Sequence, residues 1–208
     1  MRKIALINGS PKSRESASEI LLDAVKSNLA DCDITEFNVR TPDFKDIEII
    51  CENEILVFAF PLYVDGVPSH LLNFLYQLEL FLKHRESGIS VYVIVNCGFY
   101  EGKQNKNALE IMENWCIKSN LTWGQGIGIG GGGIISGIKK VAANGPMKDI
   151  AAALANQSNL ILHRQCAENT YVSPNFPRIL YKIAAEMEWR RQIKANGLKA
   201  KDLFRQIP

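Results

Sequence analysis

The chain has no GxxxxGK[ST] loop and no GxGxxG at its first strand-to-helix turn, so neither a Walker-type triphosphate site nor a dinucleotide-binding first turn is expected there. No apolar run approaches the roughly 18 residues needed to span a bilayer. Neither sign of charge is in excess: 24 Lys/Arg face 22 Asp/Glu, for a formal net charge of +2. That balance makes no case for nucleic acid or an anionic membrane as partner. Cysteine is sparse. Cys32, Cys51, Cys97, Cys116 and Cys166 form no CxxC pair and no metal-like cluster, and their odd number fits reduced thiols, hence an expected cytoplasmic location. His70, His84 and His163 are dispersed without ligand spacing, so no metal site is expected. The chain also lacks GxSxG, the elbow of α/β-hydrolases. No cysteine has an arginine six positions later, which argues against a cysteine-phosphatase loop.

What is present is a short apolar strand that runs straight into a hydroxyl-rich loop. Residues 3–7 have the near-continuous apolar character of a strand buried on both faces, and they leave no room for a signal peptide. Leu21, Leu22 and Val25 then recur at helical spacing after Ser18. Between them lies Asn8-Gly9-Ser10-Pro11-Lys12-Ser13-Arg14-Glu15-Ser16-Ala17-Ser18. The first turn of a helix leaves backbone N–H groups without partners and carries partial positive charge, so an anion placed there is stabilised. Ser10, Ser16 and Ser18 add hydroxyl donors, and Lys12 or Arg14 adds charge. Ser16 followed by Glu19 also reads as a capping box, the purely structural use of the same residues. A cap alone does not call for Gly-Ser-Pro, two cations and several serines together, so the segment is read as a phosphate pocket.

Further apolar strand-like runs recur at 33–38, 54–60, 89–96 and 122–129, separated by amphipathic stretches. This alternation predicts an α/β, doubly wound, five-stranded parallel sheet of order 2-1-3-4-5 with helices on both faces. Ligands then belong at the carboxyl ends of the strands, in the loops after the first, third and fourth. Leu71, Leu72, Leu75, Leu78 and Leu82, then Leu109, Met112 and Cys116, mark helical core stripes. Residues 130–147, rich in glycine, read as a long flexible loop that would suit a lid, ahead of a helix near 147–163. Gly126, Gly128 and Gly131 spell GxGxxG there, but late in the chain and by accident of composition. A last helix is expected over 177–195. No linker splits the chain, so 1–208 reads as one domain, with a core of about 1–165 and a helical extension of about 174–208. Residues 178–205 carry eight Lys/Arg against three Asp/Glu. They read first as a solvated face and second as a partner surface.

The loop after the third strand, Phe60-Pro61-Leu62-Tyr63-Val64-Asp65-Gly66-Val67-Pro68, is stiffened by two prolines and presents Tyr63. The loop after the fourth is Asn96-Cys97-Gly98-Phe99-Tyr100-Glu101-Gly102, where glycines allow close approach and the aromatics offer stacking surface. A phosphate cradle, aromatic walls and free amides at one end of one sheet suit a planar heterocycle that carries a phosphate. Cys97, without a CxxC partner or adjacent histidine, reads as a packing residue.

On these residues the chain resembles the flavodoxin-like NAD(P)H-dependent FMN reductases. Asn8-Gly9-Ser10-Pro11-Lys12 with Ser16 and Ser18 is similar to their phosphate loop. Pro61-Leu62-Tyr63 with Asp65-Gly66 and Pro68 is similar to their flavin-ring loop, and Cys97-Gly98-Phe99 to the loop after their fourth strand. Pro177-Arg178-Ile179-Leu180-Tyr181 through Trp189-Arg190 resembles the C-terminal helix of some members. The resemblance implies that Ser10, Lys12, Ser16, Ala17 and Ser18 hold the FMN phosphate. It implies that Pro61, Leu62, Tyr63, Val64, Asp65 and Gly66 border the isoalloxazine, and that Asn96, Cys97, Gly98, Phe99 and Tyr100 contact its pyrimidine side. Two positions depart from the pattern. Lys12 stands where many relatives have arginine, and Val64 where some have tryptophan. A lone Cys51 near the region of the iron–sulfur branch speaks against a cluster.

The implied activity is hydride transfer from NADH or NADPH to flavin N5, then reduction of a small-molecule acceptor such as a quinone, azo dye, nitro compound, metal ion or free flavin. The flavin carries the chemistry, so no catalytic side chain is required. Analogy also implies a homodimer, with helix 68–84 as a possible face. Two other classes stay open: an electron carrier or FMN-binding module without nicotinamide turnover, and a phosphate-binding enzyme without flavin.

Overall fold

The computed structural model describes residues 1–12, 15–40, 44–83, 88–138, 140–199 and 201–202. Arg14 and His84, singled out above, lie outside the described residues. Strands β1 (Lys3–Asn8), β2 (Asp33–Asn38), β3 (Ile55–Pro61), β4 (Ser90–Asn96) and β5 (Thr122–Ile129) alternate with helices α1 (Ala17–Lys26), α2 (Phe44–Cys51), α3 (Ser69–Leu82) and α4 (Lys106–Lys118). After β5 come a short α5 (Gly132–Ile135), a long α6 (Lys148–His163), β6 (Thr170–Val172) and α7 (Arg178–Ala195). Every pairing in the sheet is parallel.

The sheet has six strands in the order β2-β1-β3-β4-β5-β6, one more than the sequence pattern predicts. The added β6 pairs Thr170, Tyr171 and Val172 with Ile127, Gly128 and Ile129. Three half-buried residues produce no apolar run or alternation that periodicity can register; only the exposed edge of β5 makes them a strand.

Alternation along the strands builds two cores. In β3, Leu56, Phe58 and Phe60 face the side covered by Leu71, Leu78, Leu109 and Met112. Ile55, Val57 and Ala59 face the side covered by Leu21, Val25, Ile150, Leu154 and Ile161. Each such large side chain, taken fully from water, contributes about 1.5–3 kcal/mol. Phe58 meets Trp115 edge to face, with centroids 5.9 Å apart. The Trp115 indole N–H donates to the Leu75 carbonyl at 3.0 Å, fixing α4 against α3.

The described part of 130–147, read from sequence as a long flexible loop, includes the short α5 and buried anchors, while residues 142–146 are exposed. Gly131 takes a left-handed φ of 73°, which a side chain would resist, and turns the chain into α5. Ile135, Val141 and Met147 are buried behind it and pack with the core at these three points. Gly126 and Gly128 lie inside β5, not in a loop.

The chain divides into two compact units, Met1–Pro174 and Asn175–Pro208. The first holds the whole sheet. The second is chiefly α7, in which no residue is buried. Among the described residues, no helix is long and apolar enough to cross a membrane.

Tyr92 is the largest fully buried side chain, admitted where the β4–β5 register shifts. A Cβ on Gly124 would stand 2.5 Å from its ring. Its hydroxyl faces the carbonyls of Leu160, at 3.1 Å, and Gln165, at 2.9 Å. Burial pushes its phenol up to about 12. Folded protein therefore keeps a proton that the unfolded chain loses near pH 10. This contribution to stability is complete below that pH and is lost as pH rises through about 12. Urea titrations should show wild-type stability falling over this window and Tyr92→Phe falling less steeply; equal slopes would refute the assignment.

Candidate functional site

The carboxyl ends of β1, β3, β4 and β5 surround a cavity of about 230 Å³. On the β1 side the Asn8 side-chain oxygen accepts the Ser10 N–H at 2.9 Å, and Ser10 Oγ accepts the Lys12 N–H at 3.3 Å. The capping box of α1 is formed: Ser16 Oγ accepts the Glu19 N–H at 3.1 Å, and Glu19 Oε2 accepts the Ser16 N–H at 3.4 Å. On the β4 side the Asn96 amide donates to Ser18 Oγ at 3.0 Å and to the Phe60 carbonyl at 3.1 Å.

These contacts share one consequence. Ser10, Ser16 and Ser18 are each nearly fully buried, and each oxygen accepts a hydrogen bond from the protein. Among the described residues none accepts a hydrogen bond from these hydroxyls. Each serine therefore keeps its single proton to donate at the cavity they line. The first-turn N–H groups of Ala17 and Ser18 add further donors. Lys12 is the charged side chain of the lining, which contains no carboxylate among the described residues. A buried set of donors beside one cation and a helix N-terminus is the kind of arrangement that stabilises an anion of phosphate type. The capping box and the anion site are compatible uses of Ser16, because the cap takes its lone pair and the cavity its proton.

Pro61, Leu62 and Tyr63 form the β3 wall. The Leu62 N–H donates to the Asn96 carbonyl at 2.8 Å, and Tyr63 and Gly66 exchange two backbone bonds of 3.0 Å. This closes a tight turn with φ of 47° at Val64 and 56° at Asp65. A β-branched residue is costly in the left-handed region, and Val64 is fully exposed at the tip, so the strain is retained without packing to offset it. Val64, Asp65 and Gly66 hold Tyr63 in place but do not line the cavity.

Asn96, Cys97 and Gly98 line it from β4. The Asn96 amide is a brace between α1 and β3, and the Cys97 N–H is taken by the Ile129 carbonyl at 2.9 Å. The Cys97 thiol is near the Phe99 and Glu101 carbonyls, and the Asn105 amide lies 3.5 Å from its sulfur. Burial pushes this thiol up, which keeps it protonated at neutral pH and unsuited to act as a nucleophile. Phe99 is half exposed beyond the rim, and the Tyr100 hydroxyl donates to the Pro174 carbonyl at 3.2 Å; neither lines the cavity.

Sequence reasoning missed Gly132, Gly133 and Ser136, which close the β5 side. Their signal was a glycine cluster directly after a strand, the same signal used for the loop after β4. The Gly132 N–H donates to the Cys97 carbonyl at 2.7 Å, linking the two loops. His70, not assigned to the site, lies 3.1 Å from the Gly9 carbonyl and ties α3 to the phosphate loop. No metal-holding cluster occurs among the described residues. A larger groove of about 490 Å³, beside Trp123 and Asn169, lies towards the amino ends of the strands and carries the carboxylates of Glu113 and Glu168 in its lining.

No family model and no curated protein matches this chain. Among solved structures, its fold is similar to the apo form of an NADH:FMN oxidoreductase, at TM-score 0.61 and 17% identity over 81% of this chain and 92% of that one. It is also similar to the Trp repressor binding protein from Bacillus subtilis, at TM-score 0.59 and 19% identity over 74% and 96%. A short-chain flavodoxin associated with a bacterial microcompartment gives TM-score 0.54 and 14% identity over 79% and 99%. The class these likenesses define is the doubly wound α/β domain with a parallel sheet. The particular fold is flavodoxin-like.

The two roles of Ser16 separate on substitution. Ser16→Ala should lower unfolding free energy by about 1 kcal/mol through loss of the cap. Ser16→Asp keeps a capping oxygen but puts a carboxylate among the donors. It should retain stability yet lose the rise in melting temperature that inorganic phosphate gives the wild type. A wild type unaffected by phosphate would show that the donors form no anion site.

Proposed function

We propose that this protein is an FMN-dependent NAD(P)H oxidoreductase that reduces a small-molecule acceptor. The observation that carries the reading is the inward-facing donor set of Ser10, Ser16 and Ser18 with Lys12. It meets a second requirement in the wall of Pro61, Leu62 and Tyr63. At about 230 Å³ the cavity is smaller than the roughly 300–1,000 Å³ that encloses a whole drug-sized ligand. It suits the phosphate and sugar-alcohol arm, with the ring lying outward against Tyr63 and Gly98. The likeness in fold to an NADH:FMN oxidoreductase agrees with this choice.

Bound FMN would supply hydride acceptance and electron release. The chain's part is to bind and orient it. Ser10, Ser16, Ser18, Lys12 and the first turn of α1 grip the phosphate. The Asn96 brace keeps Ser18 in register with β3 and β4, so that grip and ring wall cannot drift apart. Tyr63, about half exposed, leaves one side of the ring's berth open to solvent, where a nicotinamide and then the acceptor could stack in turn. The buried, protonated Cys97 adds shape rather than acid–base chemistry.

Purified protein mixed with FMN should turn yellow and quench flavin fluorescence, and anaerobic NADPH or NADH should bleach the colour. Lys12→Glu should weaken FMN binding at least tenfold while leaving the urea midpoint unchanged. Yellow protein that neither pyridine nucleotide bleaches would indicate an electron carrier; no uptake of FMN would overturn the flavin reading.

A further inference from the structure

His70 stands in the first turn of α3, half-buried, and does not line the cavity. Its Nε2 lies 3.1 Å from the Gly9 carbonyl oxygen, a contact between residues 61 apart in the chain. A carbonyl can only accept, so Nε2 carries the hydrogen whichever charge the ring bears.

The backbone that His70 reaches is tightly placed. The Gly9 N–H donates to the Ala59 carbonyl of β3 at 2.9 Å, and the Ser10 N–H donates to the Asn8 side chain at 2.9 Å. A Cβ on Gly9 would stand 2.7 Å from Leu71 Cδ2 and 3.1 Å from Phe60 Cβ, so this backbone sits directly against α3 and β3. The Gly9–Ser10 peptide thus has its hydrogen held locally by Asn8 and its oxygen held from across the fold by His70. Glycine resists rotation of a neighbouring peptide less than any other residue, so the restraint has to come from outside it.

Orientation of this peptide matters because it carries Ser10, whose hydroxyl is among those directed into the cavity. Rotation would draw Ser10 Oγ away from the Lys12 N–H. It would also turn a carbonyl oxygen, an acceptor, towards a bound anion. α3 is well placed to prevent both. The helix is entered straight from the Tyr63 turn through Pro68, whose carbonyl takes the Leu72 N–H at 2.9 Å. One helical turn therefore anchors the β1–α1 loop and follows directly from the wall opposite.

We infer that His70 is a positioning residue for the anion site: its Nε2–H holds the Gly9 carbonyl and thereby sets the Ser10 hydroxyl towards the ligand's phosphate. The inference rests on the reading of the cavity as the seat of FMN.

Fluorescence titration of the full-length protein with FMN, and with riboflavin, which has the same ring and sugar alcohol but no phosphate, tests it. His70→Leu and His70→Asn should each weaken FMN about tenfold, the weight of one buried hydrogen bond, and leave riboflavin affinity unchanged. His70→Gln should bind FMN as wild type does, because its amide nitrogen reaches the place of Nε2 whereas that of asparagine stops near the place of Nδ1. Ser10→Ala should weaken FMN by itself, and adding His70→Leu to it should cost no more, since the histidine acts through the serine. Equal losses for FMN and riboflavin, a His70→Gln variant as weak as His70→Leu, or additive effects in the double variant would each overturn the inference while leaving FMN binding intact. A wild type that binds neither flavin would overturn the flavin reading and this inference with it.

Discussion

Three serine oxygens that accept hydrogens from their own protein, and so must direct their own protons elsewhere, are the constraint on which the rest of this molecule's chemistry turns. A hydroxyl has one proton and two lone pairs, and occupying a lone pair from the backbone or a side-chain amide decides where the proton goes. At Ser10 the Lys12 N–H does this, at Ser16 the cap of α1, and at Ser18 the Asn96 amide. The three come from one loop and one helix end, but the last contact crosses from β4. The sheet therefore takes part in orienting a hydroxyl at the start of α1.

The same crossing contact gives the site its stiffness. Asn96 reaches Ser18 and the Phe60 carbonyl with its amide, and its own carbonyl takes the Leu62 N–H. One side chain and one peptide thus join the ends of three elements. The Gly132 to Cys97 bond extends the join to the loop after β5. Into this rigid rim the Tyr63–Gly66 turn introduces strain at Val64, consistent with a loop selected for where it holds Tyr63 rather than for its own stability.

The two units are built on opposite principles. The Met1–Pro174 unit buries nearly every apolar side chain of its central strands on one of two faces, whereas α7 buries none.

Much of this was legible in residue order. Five strands show as apolar runs because a strand buried on both faces has no polar positions to interrupt it, and the serines between β1 and α1 signal anion binding because free helix-end donors are a local property. The aromatic and glycine residues after β3 and β4 likewise marked their loops. β6 was not legible, since three half-buried residues become a strand only beside the edge of β5. Nor was the separation of Tyr63, which lines the cavity, from Val64, Asp65, Phe99 and Tyr100, which do not; adjacent residues in a turn point in different directions. Gly132, Gly133 and Ser136 read as a loose loop because their anchors, Ile135, Val141 and Met147, find their partners only across the core. By itself, then, the sequence determined the doubly wound strands and the hydroxyl-rich loop that opens α1, because burial period and helix-end chemistry are encoded within a few neighbouring residues. Which serine proton faces the cavity, which loops close it and where the sheet ends were decided by tertiary structure, because each depends on a contact between residues far apart in the chain.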